Sequence, residues 1–205
     1  MKIHILFGMI GFILVSGCNR APEKNPRFYD AGVSRELAGH RKAQIKNLKY
    51  ELSFNIPRQK EAAIEGDITL RFDLASRQEV LIDFREEREK IKEVIANGVP
   101  VDEVRFENEH IILPASSTVE GANGIRIRFT AGNQSLNRND EYLYTLLVPD
   151  RARTVFPCFE QPNLKAEFTL QLELPADWKA VSNTYIRSET VTDDRKTGCF
   201  SPTEP

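Results

Sequence analysis

Histidine is scarce in this chain: three residues in 205, His4, His40 and His110, none beside another. A hydrolytic metal centre carried on a helix needs two imidazoles four residues apart, a carboxylate placed as general base, and a third ligand further on. The inventory excludes that arrangement. Excess positive charge is also missing, with 28 Lys and Arg against 30 Asp and Glu and a pI near 6.0. Phosphate neutralisation needs clustered cations, so nucleic acid is excluded as a partner. A mean hydropathy of -0.41, with 40% hydrophobic and 28% charged residues, excludes a multi-spanning membrane protein. Cysteine is limited to Cys18, Cys158 and Cys199. Export would permit one disulfide, but its geometry does not follow from sequence, and Cys158, set among Phe156, Pro157 and Phe159, reads as a buried free thiol. No internal repeat or low-complexity segment is present.

The chain opens with MKIHILFGMIGFILVSGCNR. Lys2 supplies a positive start, Ile3 to Val15 an apolar core too short to span a bilayer comfortably, and Val15-Ser16-Gly17-Cys18 a small-residue cleavage site. This resembles a bacterial lipoprotein signal over residues 1–17, which makes Cys18 the lipidated first residue of a mature protein held to the cell envelope outside the cytoplasm, in the periplasm or at the outer membrane. The alternative is an ordinary secretory signal with an incidental cysteine. Residues 18–32, rich in Pro, Asn, Lys and Arg, read as a polar tether, and 33–205 as one domain.

Ser34 is placed to cap a short helix reaching about Ile45, with Gly39 weakening its middle. Period-two alternation then dominates. Leu48, Tyr50, Leu52, Phe54 and Ile56 alternate with polar residues up to Pro57, and Ile68, Leu70, Phe72 and Leu74 repeat the pattern as an antiparallel neighbour. Val80, Ile82 and Phe84 form a third strand. Residues 85–93 carry mixed charge and fit a helical turn, a solvated loop, or a short strand with Ile91 and Ile95 inward. Asn97-Gly98 is a hairpin turn. Further strands are expected over 110–113, 125–129, 142–148 and 168–174, with another beginning at 198–200. The fold class is all-β, an antiparallel sandwich or saddle with a short N-terminal helix. Phe168, Leu170, Leu172 and Leu174 share one face, which another sheet is expected to cover.

No residue set in the chain reads as catalytic. Glu107, Glu109 and His110 alternate across a strand and read as a surface strand entry with its charge outside. Asn139-Asp140-Glu141 is a polar turn without calcium-loop spacing. Gly121 to Gly124 lacks the helix of a dinucleotide loop, and Ser116 and Ser117 have no base.

Four stretches carry a resemblance: NRNDEYLY from Asn137 to Tyr144, RTVFPCFEQP from Arg153 to Pro162, Lys165-Ala166 with the strand after it, and AVSNT from Ala180 to Thr184. On these, the run from about Gly32 to Pro205 resembles the N-terminal β domain of the aminopeptidase N family of zinc metallopeptidases. The resemblance implies a separate thermolysin-like catalytic domain carrying HExxH and a Gly-x-Met-Glu-Asn loop. Neither motif occurs here, and both methionines, Met1 and Met9, lie in the signal. The family places Gln or Glu before the aromatic-proline turn to hold the substrate amine, where this chain has Leu146-Leu147-Val148-Pro149.

The resemblance therefore implies a non-catalytic N-terminal portion, truncated before a closing strand, whose loss is expected to leave a sheet edge unpaired. No catalytic, cofactor or metal residue is assigned; zinc belongs to the complete family enzymes. The partner it implies is a missing or separately encoded zinc catalytic domain, docked over an apolar surface to which Leu146, Val148, Phe156 and Phe159 contribute. A competing expectation is a free-standing exported β-sandwich module binding peptide or glycan, which would show aromatic and polar groups converging on a concave face.

Overall fold

The alternation of Leu48, Tyr50, Leu52 and Phe54 with charged neighbours is realised as a strand whose apolar residues face inward. The computed structural model describes residues 25–205. The expected signal at 1–17, the lipidated Cys18 and the first part of the tether lie outside the described residues. A helix, α1 (Arg35–Gln44), is followed by β1 (Ile45–Asn55), β2 (Glu65–Leu74), β3 (Val80–Asp83), β4 (Ile91–Ala96), β5 (Val99–Pro100), β6 (Arg105–Glu107) and β7 (His110–Leu113). Then come β8 (Gly121–Thr130), β9 (Leu136–Arg138), β10 (Leu143–Thr145), β11 (Glu167–Pro175), β12 (Ile186–Thr192) and β13 (Arg195–Phe200). The described chain is mostly β, with one short α-helix and open sheets.

The large sheet has eight strands in the order β12-β13-β11-β1-β2-β8-β4-β5. Its pairs are antiparallel except β1 with β11, which run parallel, so the expectation of an antiparallel sheet holds apart from this pair. Leu52, Ile68, Ile127 and Val94 lie in one row across four strands, and Tyr50, Leu70, Ile125 and Ala96 in the next. Both rows are buried. A bulge at Asn47, whose φ is 53°, lets Ile45 and Leu48 both turn inward despite their odd spacing. The outer face is polar, with Arg71 paired to Glu51, Arg126 to Asp67 and Arg128 to Glu93 across neighbouring strands. Such exposed pairs contribute at most about 1 kcal/mol each; they mark the face that meets water.

A three-stranded sheet, β3-β7-β6, lies between the large sheet and α1. All four residues of β3 and of β7 are buried because both faces are covered. Val80, Ile82, Ile111 and Leu113 join the main core, while Leu81 and Ile112 pack with Leu37 of α1. Ser34 caps the helix as expected, its Oγ accepting from Leu37 N at 3.1 Å.

Three expectations shift. Residues 88–90 make a single 3-10 turn and β4 follows, but a bulge between Ile91 and Glu93 reverses its phase, so Val94 turns inward in place of Ile95. The strand expected over 142–148 shortens to β10, which pairs with β9, and the alternating residues Tyr142, Tyr144, Leu146 and Val148 are exposed. Phe168, Leu170 and Leu172 are only half-buried, because among the described residues no sheet covers the inner face at β11; of these four only Leu174 is buried. Asn97-Gly98 does form the hairpin turn between β4 and β5, with φ of 52° and 82°.

Gly66 of β2 sits opposite Phe129 of β8, and a Cβ there would lie 2.3 Å from Cζ of that buried ring. Gly66→Ala is predicted to lower unfolding free energy by about 1–3 kcal/mol in urea denaturation, because the ring has no free space to enter. A loss below about 0.5 kcal/mol, the range of ordinary surface changes, would contradict this packing.

Candidate docking site

The segment Phe156-Pro157-Cys158-Phe159-Glu160-Gln161 is a turn pinned from behind by Asp83. At the end of β3, Asp83 makes a backbone bridge with Cys158, Asp83 N donating to Cys158 O at 2.8 Å and Cys158 N to Asp83 O at 3.0 Å. The Asp83 carboxylate then takes four further bonds. Arg41 donates to Oδ2 at 2.8 Å and to Oδ1 at 2.6 Å, Glu160 N donates to Oδ2 at 2.8 Å, and His110 Nδ1 lies 2.8 Å from Oδ1. Strand parity explains the meeting: Leu81 and Asp83 share the face of the small sheet that α1 covers, and Arg41 is one turn beyond Leu37 on the same helix face.

Burial pushes the Asp83 carboxyl up, but the Arg41 charge and the His110 and Arg41 hydrogen bonds outweigh it, and the net pKa is below the ordinary 3.8. Glu160 goes the other way: burial raises its carboxyl, although it accepts from Arg153 N at 2.7 Å. The Cys158 thiol is raised well above its ordinary value by burial, and next by the Glu160 carboxylate, so it is an unreactive thiol. Cys158 and Cys199 are both free, in agreement with the reading of Cys158. Tyr50 OH accepts from Phe159 N at 2.9 Å, and Arg41 lies over the Phe159 ring, its Cζ 5.2 Å from the centroid.

This cluster corrects the reading of His110, which is fully buried and not at a surface strand entry; its Nε2 lies 2.9 Å from Asp30 O. It also divides the four residues expected on a docking surface. Phe156 and Phe159 are each 5% exposed, held edge-on against Phe54 and Phe72. Leu146 and Val148 are 50% and 73% exposed. The turn brings its phenylalanines into the core because Asp83 and Tyr50 fix its backbone from two sides. Sequence reasoning missed Asp83, Arg41 and Tyr50; the available signal was an aspartate inside an otherwise apolar Val80-Leu81-Ile82-Asp83-Phe84 run.

In front of the turn is a groove of about 1130 Å³. Its floor is the inner face of β1 and β11, where Tyr50, Leu52 and Phe54 stand beside Phe168, Leu170 and Leu172. Phe156, Leu143, Tyr144, Trp178 and Val181 line other parts of it, as do Ser201, Thr203, Glu204 and Pro205. Among the described residues no group of three or more His, Cys, Asp or Glu is placed to hold a metal ion. His40 and His110 are engaged by Gln78 and by Asp83 and Asp30. With both rings so engaged and 70 positions apart in sequence, these residues do not fit a zinc site. Asn139 closes the polar turn before β10 by accepting from Glu141 N and Tyr142 N, each at 2.8 Å, and Ser117 Oγ donates to Pro114 O.

The Asp83 arrangement makes the stability pH-dependent. A depressed folded pKa contributes stability that is present above the ordinary carboxylate range, about pH 4, and is lost as pH falls through the folded value. Glu160 acts with opposite sign, its contribution declining as pH rises above 4.5 through its raised value. Asp83→Asn, which leaves Arg41 buried without a counter-charge, is predicted to cost about 3–5 kcal/mol at pH 7 and to flatten the loss of stability at acid pH. Urea denaturation of both forms between pH 3 and 7, roughly spanning the carboxylate range, checks the pair of effects; a parallel acid loss in the variant contradicts the assignment.

Comparison with known proteins places these features. A family profile for the peptidase M1 N-terminal domain matches residues 46–205. Aminopeptidase N of Streptomyces lividans is 32% identical over 165 residues, 74% of this chain and 19% of that protein. Leucine aminopeptidase 2 of Candida glabrata is 25% identical over 174 residues, 76% of this chain and 25% of its own length. The chain thus spans a quarter or less of these curated relatives. The crystal structure of an M1 zinc metallopeptidase from Deinococcus radiodurans superposes with a TM-score of 0.63 at 21% identity, covering 77% of this chain and 38% of that one. A two-domain M1 zinc metallopeptidase bound to L-arginine gives 0.64 at 20% identity, covering 77% and 39%. At these identities the structures establish a shared fold. The sequence match over three-quarters of the chain goes further, and the chain belongs to the peptidase M1 N-terminal domain family.

Proposed function

We propose that this chain is the non-catalytic N-terminal β domain of an aminopeptidase N-like zinc metallopeptidase, a saddle-shaped scaffold that docks a catalytic domain and walls part of its cavity. The observation that carries this reading is the groove. Its floor consists of Tyr50, Leu52, Phe54, Leu170 and Leu172, continuous with the main core. A surface evolved to bind a small polar ligand presents a few placed polar groups in a preformed cleft; an unfilled extension of the core calls for a protein partner. The competing module for peptide or glycan gains less support, since the floor is mainly aliphatic and phenylalanine side chains continuous with the core.

In this reading the catalytic domain would supply HExxH, the zinc and the amine-binding groups, and this chain would contribute none of them. Leu146 and Val148, exposed beside the groove, remain the proposed docking residues of the expected four. On the pattern of the first 18 residues, the proposal includes lipidation at Cys18 and attachment at the cell envelope.

The purified chain is expected to show no zinc-dependent release of chromophore from aminoacyl p-nitroanilides, with or without added zinc, and no tight zinc binding by native mass spectrometry. Turnover that disappears with a chelator and returns with zinc would overturn the proposal.

A further inference from the structure

The cover over the inner face of the large sheet ends where the sheet passes from β1 to β11, among the described residues. Tyr50, Leu52 and their cross-strand neighbours are covered by the small sheet and the 156–161 turn, whereas Phe168, Leu170 and Leu172, one strand over on the same face, stay half-buried. Strand spacing gives the floor from Phe168 to Leu174 a length of about 20 Å. That length fits an extended segment of about seven residues lying along it. Beside the floor, β10 has one free edge, since among the described residues it pairs only with β9. A strand edge next to an apolar trough is the geometry of strand addition, in which backbone bonds align the guest and alternate side chains enter the trough.

The end of the described chain runs into the same place. Thr203 N donates to Phe168 O at 3.0 Å and Phe168 N donates to Thr203 Oγ1 at 3.0 Å, and Thr203, Glu204 and Pro205 line the groove. The M1 structures that share this fold are more than twice as long as the part matched here. The opposite face of the sheet carries cross-strand ion pairs and is unsuited to apolar contact.

We propose that the groove receives one extended apolar segment of the polypeptide that carries the catalytic domain, added as a strand beside β10 and packed on Phe168, Leu170 and Leu172. This rests on the docking reading above and specifies which part of the partner is gripped. The occupant alternates branched or aromatic residues, which enter the groove, with small polar ones that face out. A tight docking of this kind leaves Leu146 and Val148 at the margin, where they meet the rest of the partner.

Trp178 lines the groove and is the chain's single tryptophan, so its emission reports on occupancy. The probe is a synthetic ten-residue peptide alternating Val or Leu with Thr, acetylated and amidated; the control is the same sequence with two Thr replaced by Pro, which cannot donate backbone hydrogen bonds to a strand. The full chain is expected to show a saturable blue shift with the first peptide and none with the second. Leu170→Asp is expected to raise the half-saturating concentration about tenfold or more. Because that variant carries a charge into a half-buried site, Tyr144→Ser at the exposed rim is measured beside it, with far-ultraviolet circular dichroism to show that both are folded; an increase of about threefold is expected.

No shift with either peptide, an equal shift with both, or a response unchanged in both variants would overturn the inference. So would a shift that depends on chain concentration without peptide, which would make a second copy the occupant. An inactive chain that ignores the peptide sinks this inference alone, while a chain that binds the peptide and turns over substrate with zinc sinks the functional reading alone.

Discussion

A carboxylate with no access to water must be surrounded by donors, and Asp83 is such a group: it is fully buried and held by Arg41, His110 and the backbone of Glu160. Each donor belongs to a different piece of chain. Arg41 fixes the register of the helix, His110 the neighbouring strand, and Glu160 N the aromatic-proline turn. Replacing a buried ion pair by apolar groups of the same shape is often neutral or stabilising, so the cluster's role here is to select one arrangement of three elements rather than to add net stability. Once that arrangement is set, Phe159 lies under Arg41 and against Phe72, and Phe156 against Phe54.

The same constraint decides where the molecule is left open. The turn and the small sheet, tied together through Asp83, cover the inner face over β2, β8 and β4 and reach only the near side of β1. The face continues across β11 with the same kind of side chain, and among the described residues no sheet lies over it. Seen from the opposite side the sheet is polar, with cross-strand ion pairs over β1, β2, β8 and β4, so its two faces differ in character. That difference, together with the open stretch at β11, is what supports the docking proposal.

Much of this was legible in the sequence because it rests on local periodicity. Alternation identified β1, β2 and β8, Asn97-Gly98 identified its hairpin, and Ser34 identified the helix start, since each signal acts within a few residues. What periodicity cannot carry is the pairing of strands far apart in the chain. The parallel contact of β1 with β11 joins residues more than a hundred positions apart, and nothing in either strand encodes its direction. Bulges at Asn47 and after Ile91 shift the phase of strands whose residue types look regular. His110 seemed a surface residue because it follows two glutamates, but its ring is held between Asp83 and the carbonyl of Asp30, 80 positions earlier. The phenylalanines of the turn were placed outward for a related reason: their exposure depends on Asp83 and Tyr50, both distant in sequence. Leu146 and Val148, expected on the same docking surface, are exposed, and their part in docking is a proposal.

Amide hydrogen exchange across the native chain tests most directly whether a fixed turn and an uncovered groove coexist in one fold. The account predicts that the amides of Asp83, Cys158 and Glu160 exchange only with global unfolding, while those of β10 and of residues 180–184 at the groove margin exchange by local opening, faster by about two orders of magnitude or more. Equal protection of the turn and the groove margin would contradict it, since that would mean the core is already closed over β11.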